Sequence, residues 1–219
     1  DLLFHETGLP GSMFFYKALL EKNNTPSFLE TDTLHTVRLN SSTMKYKAGW
    51  TSKYKTIEYQ AQVGDSFYMH NKFHDMAMQK IANTKIGQKT YLYSCVNFIL
   101  LKEVAEAISG MSMDALLDRE FYGPMKLQNM AYLPLRMHKK EDVAPTIKKD
   151  FLRNGKLQGF VHDPDAAFLG GISGNAGLFA TSRDVASMYQ MLLNDGEFNG
   201  KRYLSAETCK LFTTTTSAS

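Results

Sequence analysis

Residues 91–101 read Tyr91-Leu92-Tyr93-Ser94-Cys95-Val96-Asn97-Phe98-Ile99-Leu100-Leu101. A short polar turn, Tyr93-Ser94-Cys95, opens into the strongest helical pattern in the chain. Val96, Ile99, Leu100, Val104, Ala107 and Ile108 recur at helical spacing, and Gly110 follows as a stop. A helix of this kind buries one face, so its first turn is held rigidly. The Tyr93 hydroxyl, just ahead of that turn, is well placed for chemistry.

Outward from this stretch the chain reads as a mainly helical body with a few short strands. Ser12 to Lys22 gives a short helix with Met13, Phe14, Tyr16, Leu19 and Leu20 opposite a lysine-rich side. Asn23 to Gly64 is the least helical region: a turn cluster at Asn23–Ser27, then weakly alternating extended segments. Ser66–His70 suits a strand, and Phe73–Ile81 a helix with Phe73, Met76, Ala77 and Ile81 inward. A helix starting at Met113 ends at Gly123-Pro124, and Asn129–Pro145 is a polar loop. Asn154-Gly155 between the arms Ile147-Lys148-Lys149-Asp150-Phe151 and Leu157-Gln158-Gly159-Phe160-Val161 predicts a hairpin. Thr181-Ser182-Arg183-Asp184 is an N-cap signal for a helix with Val185, Met188, Tyr189 and Leu192 on one face. A last helix runs from Ser205 to Phe212, before a frayed tail.

Composition narrows the function classes. The 219 residues are 43% hydrophobic and 21% charged, ordinary for a globular protein able to bury a core. A net charge of +3 is too small to point to nucleic acid, and no apolar run approaches the ~18–20 residues of a membrane span. Cys95 and Cys209 are too few for a disulfide framework. One patch, Lys45, Tyr46, Lys47, Trp50, Lys53, Tyr54, Lys55 and Tyr59, has two readings: aromatics that stack on sugars or bases, or a solvated lysine-rich loop pinned by its aromatics. The expected fold class is α+β, mainly α. The apolar Leu2, Leu3 and Phe4 at the first residues suggest a chain cut inside a domain.

Four landmarks in order resemble the serine β-lactamase and penicillin-binding-protein family, on its class C and esterase-like side. Leu2-Leu3-Phe4-His5-Glu6-Thr7-Gly8-Leu9-Pro10 resembles the family's LLxHxSGLP segment. Tyr93-Ser94-Cys95 falls where the family has Tyr-x-Asn. Tyr122-Gly123-Pro124-Met125-Lys126-Leu127 resembles its PLGM turn, and Gly174–Asp184 its strand and helix start, aGGLfST-x-x-D. Gly159-Phe160-Val161-His162-Asp163-Pro164-Asp165-Ala166 and the Gly-x-Ala-Gly-Leu-Phe form resemble a subgroup with GxVHDPxA and GHAGLF, which in Bacteroidetes can sit behind a family 3 glycoside hydrolase. The resemblance implies one partial domain over 1–219, truncated at both ends, being the helical region of a β-lactamase/transpeptidase-like fold. An unpaired apolar surface and self-association follow from that. It also implies a small-molecule or peptidoglycan-derived substrate, no cofactor, no metal, and an exported, periplasmic setting.

In this family acyl transfer uses a Ser-x-x-Lys nucleophile, the second-motif tyrosine as proton relay, and a Lys-Thr-Gly or His-x-Gly strand, with backbone N–H groups holding the oxyanion. The resemblance makes Tyr93 that tyrosine. The first motif belongs before the LLxHxSGLP segment and the third beyond Ser219. Two Ser-x-x-Lys strings, Ser42-Thr43-Met44-Lys45 and Ser52-Lys53-Tyr54-Lys55, lie downstream of that segment and open no apolar-periodic helix; about one is expected by chance. Both are treated as decoys.

Cys95 departs from the pattern, where Asn or Asp would hydrogen-bond the lysine and the substrate amide; a thiol does this poorly. It is either inert packing or a nucleophile activated by the helix start. Asn175 replaces the subgroup's His. His162 and Asp163 are either turn chemistry before Pro164, partners of Cys95 in a Cys95-His162-Asp163 constellation, or ligands of a metal. His5 either orients a catalytic group or hydrogen-bonds backbone. His70 and His74, four apart, would suit a metal, but no Glu or third ligand is apparent. Two functions remain: an inactive fragment of a serine hydrolase acting on β-lactams, D-Ala-D-Ala peptides or esters, or a degenerate binding or scaffold domain beside another enzyme.

Overall fold

A computed structural model describes residues 1–21, 28–31, 37–39 and 44–214. The turn cluster at 23–27, Ser42 and the tail from 215 lie outside these. In chain order, a 3-10 turn (Phe15–Leu19) precedes strands β1 (Phe28–Thr31), β2 (Val37–Leu39), β3 (Thr51–Ser52), β4 (Ala61–Gly64) and β5 (Phe67–Met69). Helices α1 (Lys72–Ala82), α2 (Cys95–Ser109), α3 (Met113–Leu117) and α4 (Gly123–Met125) follow. Then come β6 (Ala131–Tyr132), β7 (Pro145–Asp150), β8 (Gly155–Gln158), α5 (Pro164–Phe168), β9 (Leu178–Phe179), α6 (Ser182–Leu193), β10 (Glu197–Phe198), β11 (Lys201–Arg202) and α7 (Ala206–Thr213). The strands form small antiparallel sheets: β1–β2, β3–β5–β4, β6–β9, β7–β8 and β10–β11. This is an α+β protein. Its chain divides into two compact units, Asp1–Ala105 with Leu133–Gly177, and Glu106–Tyr132 with Leu178–Ser219.

The core of the first unit is aromatic. Phe168 is 2% exposed and meets Phe73 edge-on at 5.6 Å and Phe67 in a stack at 6.3 Å. Phe15, Leu19, Met69, Ala77, Ile81, Val96, Ile99 and Leu152 close around it. α1 turns in Phe73, Ala77 and Ile81, with Met76 partly buried beside them, as its spacing predicts. The helix expected over 12–22 shrinks to five residues. Phe14 takes a left-handed φ of 44°, and Leu20 leaves the turn to bridge Tyr46. Sheet-like pairing there captures the backbone groups a longer helix would need.

α2 and its stop at Gly110 (φ +66°) follow the sequence pattern, but the stripe does not run its length. Val96 and Ile99 are buried, while Val104 and Ile108 are exposed. The hairpin forms, with Asp150 opposite Gly155, yet its connection is Phe151–Asn154 rather than a two-residue turn. Leu152 and Arg153 fold inward from that tip. The aromatic patch pins a loop: the Tyr46 hydroxyl donates to the Leu152 carbonyl, and Lys72 stacks over Trp50 at 4.5 Å.

In the second unit, Tyr122, Met125, Leu127, Met130 and Met191 form the core. Gly123-Pro124 does not end the helical run from Met113. Pro124 sits in the first turn of α4, where no N–H is missed, and Lys126 (φ 59°) closes it. Part of the polar loop after Asn129 pairs as β6 with β9. α6 keeps its Thr181 cap onto the Asp184 N–H, but its buried face is rotated. Met191 is buried with Met188 and Leu192 against the core, while Val185, Tyr189 and Leu193 are exposed. Among the described residues no helix is long and apolar enough to cross a membrane.

Candidate active site

The orphan N–H groups at the head of α2 are satisfied by a strap made of residues 5–11. The Ser94 N–H donates to His5 Nδ1 at 3.0 Å, and the Cys95 N–H to the Gly11 carbonyl at 2.9 Å. Ser94 Oγ donates to the Pro10 carbonyl at 2.7 Å, and the Leu92 N–H to the His5 carbonyl at 2.9 Å. The strap is itself tied down where the Gly87 N–H meets the Gly8 carbonyl at 2.8 Å. Gly8 has φ +76°, and a Cβ there would stand 2.5 Å from the Gly87 carbonyl oxygen, so only glycine passes.

Tyr93 is thereby clamped on both sides of its own peptide, by the carbonyl of His5 before it and the ring of His5 after it. The His5 ring also lies 4.6 Å from the Tyr93 ring, centre to centre. Nδ1 accepts, so a neutral His5 carries its proton on Nε2. Of the two readings of His5, the hydrogen bond to backbone is the one observed. Its own φ of 57° is left-handed, a backbone cost at the point of the clamp. Asn97, fully buried, completes the clasp: its Oδ1 accepts from Thr7 Oγ1 at 2.7 Å and its Nδ2 faces His5 Nδ1 at 3.4 Å. Its only sequence signal was an amide inside an apolar stripe. It is consumed by the strap and does not replace the amide missing at 95.

The Tyr93 side chain is 60% exposed. Its phenol is pushed above the ordinary tyrosine range, first by the charge interaction with the neighbouring Cys95, then by partial burial, a hydrogen bond to Cys95, and the charges of Asp163 and Tyr91. Every charge in that set disfavours phenolate.

The loop carrying Asp163 is the second half of the site. Asp163 caps α5: Oδ1 accepts the Ala166 N–H at 2.7 Å and the Asn175 amide at 3.3 Å, and Ser173 Oγ donates to Asn175 Oδ1 at 2.7 Å. The turn reading of His162-Asp163 is therefore the structural one. Of His162 it is the backbone carbonyl that is engaged, by Arg153, while the Cys95 thiol lies against Tyr93. Arg153 and Asp150, both side chains fully buried, form an ion pair at 2.8 Å that sequence reading missed; two charges three apart in a predicted turn read as surface.

Asp165 was also missed. It is buried, accepts the Phe15 N–H at 3.0 Å, and its carboxyl is pushed up to about 7, by burial first and then by the charge of Asp163. The folded value lies above the unfolded one. Its contribution to stability is therefore full below about pH 4 and is lost as pH rises towards 7, at about 1.4 kcal/mol per pH unit. Asp165→Asn is expected to remove that slope. Urea unfolding at pH 4 to 8 checks it, and parallel curves for the two proteins would reject it.

The other candidates disperse. Ser52 lies in β3, its Oγ bonded to the Tyr54 carbonyl and N–H, with Lys53 and Lys55 exposed; it opens no helix. His70 precedes α1 and accepts the Lys72 N–H, while His74 meets Glu103 at 3.0 Å, a carboxylate the linear pattern could not place there. Among the described residues no cluster suited to a metal ion occurs.

A family model described as Beta-lactamase matches residues 1–219. A Bacillus subtilis (strain 168) protein named N-acetylmuramyl-L-alanine amidase is 28% identical over 225 residues, covering 97% of this chain and 42% of that protein. An Escherichia coli (strain K12) protein named as a D-alanyl-D-alanine carboxypeptidase is 33% identical over 136 residues, 57% of this chain and 31% of that one. The solved D-amino acid amidase from Ochrobactrum anthropi SV3, complexed with D-phenylalanine, matches at TM-score 0.52 and 13% identity, over 95% of this chain and 46% of its own. That likeness speaks to the fold alone. The chain spans less than half the length of each of these proteins.

Proposed function

Because the chain belongs to the beta-lactamase family over its whole length, we propose that it is the helical part of an acyl-transfer serine hydrolase acting on β-lactams, D-Ala-D-Ala peptides or small esters and amides, with Tyr93 as the proton-transferring residue. The observation behind this is the clamp: an exposed phenol held from both sides at the head of a buried helix. In the proposed reaction a serine oxygen bonds to the substrate carbonyl carbon and gives its proton to a lysine amine. The C–N or C–O bond to the leaving group then breaks as Tyr93 O–H protonates it, and the lysine returns its proton to the tyrosine oxygen. The raised phenol suits the donor role, and a lysine ammonium arriving beside it would lower it for the return. The serine and lysine are proposed to come from polypeptide beyond these 219 residues, which together form one partial domain. The relatives' names, a D-alanyl-D-alanine carboxypeptidase and an N-acetylmuramyl-L-alanine amidase, support an exported setting, and the exposed face of α6 (Val185, Tyr189, Leu193) supports self-association.

Cys95 favours a second reading, a degenerate binding or scaffold domain. Its thiol is already engaged with Tyr93, where an amide would meet the lysine and the substrate.

The 219-residue chain is expected to give no burst with a chromogenic β-lactam or short-chain nitrophenyl ester, and no mass shift at Ser42 or Ser52. The full-length polypeptide is expected to form an acyl-enzyme at a Ser-x-x-Lys serine. Acylation at Ser42 or Ser52 overturns the site. Silence of the full-length protein overturns the hydrolase in favour of the scaffold.

A further inference from the structure

The first unit holds a cleft of two chambers, about 290 and 400 Å³ in volume. Lys55, Gln60, Ala61 and Arg136 line both, so the chambers meet at that group. Neither Tyr93 nor any residue of the strap lines them. One wall is the loop of residues 52–60, which its hydrogen bonds hold in a fixed form. Ser52 Oγ accepts the Tyr54 N–H and donates to the Tyr54 carbonyl. Thr56 and Tyr59 exchange backbone bonds at 3.2 Å, and the Asn71 amide donates to the Ile57 carbonyl at 2.9 Å. Another wall is the 3-10 turn Pro134–Arg136, entered through Leu133 at a left-handed φ of 48°. Leu135 of that turn is seated against Gly159, where a Cβ would stand 2.5 Å from it. Strained backbone of this kind persists only where its surroundings over-determine it.

The chemistry of the lining is one-sided. Two cations, Lys55 and Arg136, stand where the chambers meet, and among the described residues no carboxylate lines either chamber. Lys55 is exposed and enters no ion pair among the described residues. The smaller chamber is mainly apolar, with Leu133, Leu135 and Phe160 in its walls. The larger adds His70, Asn71 and His74. His74 is already paired with Glu103 at 3.0 Å. His70 Nδ1 accepts the Lys72 N–H at 3.0 Å, so its neutral ring presents an Nε2–H donor. The same contact occupies the first N–H of α1, which a phosphate would otherwise seek. We propose that the cleft binds a small organic carboxylate that carries one apolar and one neutral polar group. The carboxylate sits between Lys55 and Arg136, the apolar group in the smaller chamber and the polar group in the larger. The guanidinium fork takes a carboxylate side-on, and the ammonium adds a point charge. Apolar walls with a few converging polar groups are the usual form of a small-molecule site. This site stands whether or not Tyr93 is catalytic.

The test titrates the full-length polypeptide with N-acetyl-L-phenylalanine near neutral pH, followed by isothermal calorimetry. Two analogues remove one feature each: N-acetyl-L-phenylalaninol the charge, N-acetylglycine the ring. Each is expected to bind at least about tenfold more weakly than the parent probe. Lys55→Ala and Arg136→Gln are each expected to weaken the acid by about tenfold and to leave the alcohol unchanged. Both side chains are exposed, so neither variant should lose the fold. Tyr93→Phe is expected to bind the acid as the parent protein does. Equal binding of acid and alcohol, or full affinity for the acid in both charge variants, overturns the site. Loss of binding in Tyr93→Phe also overturns it, because the probe would then occupy the active site proposed above. Absence of saturable binding in the millimolar range overturns it outright. Failure of the full-length protein to form an acyl-enzyme touches only the hydrolase reading and leaves these binding results standing.

Discussion

On the proposed hydrolase reading, Tyr93→Phe is expected to lower kcat of the full-length polypeptide by about 10²–10⁴-fold, the range for losing a positioned acid–base group. The variant keeps the ring, so its contact with His5 survives and only the hydroxyl is removed. Because the side chain is 60% exposed, the unfolding free energy should change by no more than about 0.5 kcal/mol. The two measurements separate chemistry from folding. Steady-state kinetics should show kcat and kcat/KM falling together, as they do when a contact made only in the transition state is lost. A variant with wild-type kcat would remove Tyr93 from the mechanism, and one that loses activity only by unfolding would make it structural. The size of the effect is expected from the setting. The strap of residues 5–11 leaves the turn carrying Tyr93 few alternatives. The adjoining Ser94 is buried and its hydroxyl is already bonded to the Pro10 carbonyl.

Phe168→Ala should cost about 3–5 kcal/mol of unfolding free energy, the range for deleting a fully buried aromatic. Phe168 meets the rings of Tyr46, Phe67 and Phe73, so truncation leaves a cavity with aromatic walls on several sides. Those walls come from a loop, β5 and α1, whose backbones are tied elsewhere and cannot collapse inward together. The residue also ends α5, the helix whose cap is Asp163, so the loss is expected to loosen the site as well as the core. Urea unfolding measures it, with Leu193→Ala, 79% exposed, as the control expected to stay within about 0.5 kcal/mol. A Phe168→Ala loss below about 1 kcal/mol would show that the cluster relaxes around the gap.

Several elements could be read from residue order because their determinants are local. α1 follows its apolar spacing, α2 starts at Cys95 and stops at Gly110, and Thr181 caps α6. The α+β class and the family resemblance rest on such patterns, which span a few turns of chain and survive removal from their surroundings. The sequence likewise singled out Tyr93 and Cys95, since both sit in one short motif.

The tertiary structure decided what required distant partners. It chose which part of each stripe is buried: Val104 and Ile108 carry the right spacing on α2 but meet no core, and α6 turns Met191 inward instead of Val185. It cut the 12–22 helix to a 3-10 turn because Leu20 pairs with Tyr46, 26 positions on. It brought Glu103 to His74 and placed the Asp150–Arg153 pair in the interior. Around Tyr93 it supplied the clamp, since His5, Thr7 and Asn97 meet across about ninety residues of chain. Periodicity records which face of an element is apolar. Burial, ion pairing and the field at a hydroxyl depend on which other elements arrive, and that is set by packing.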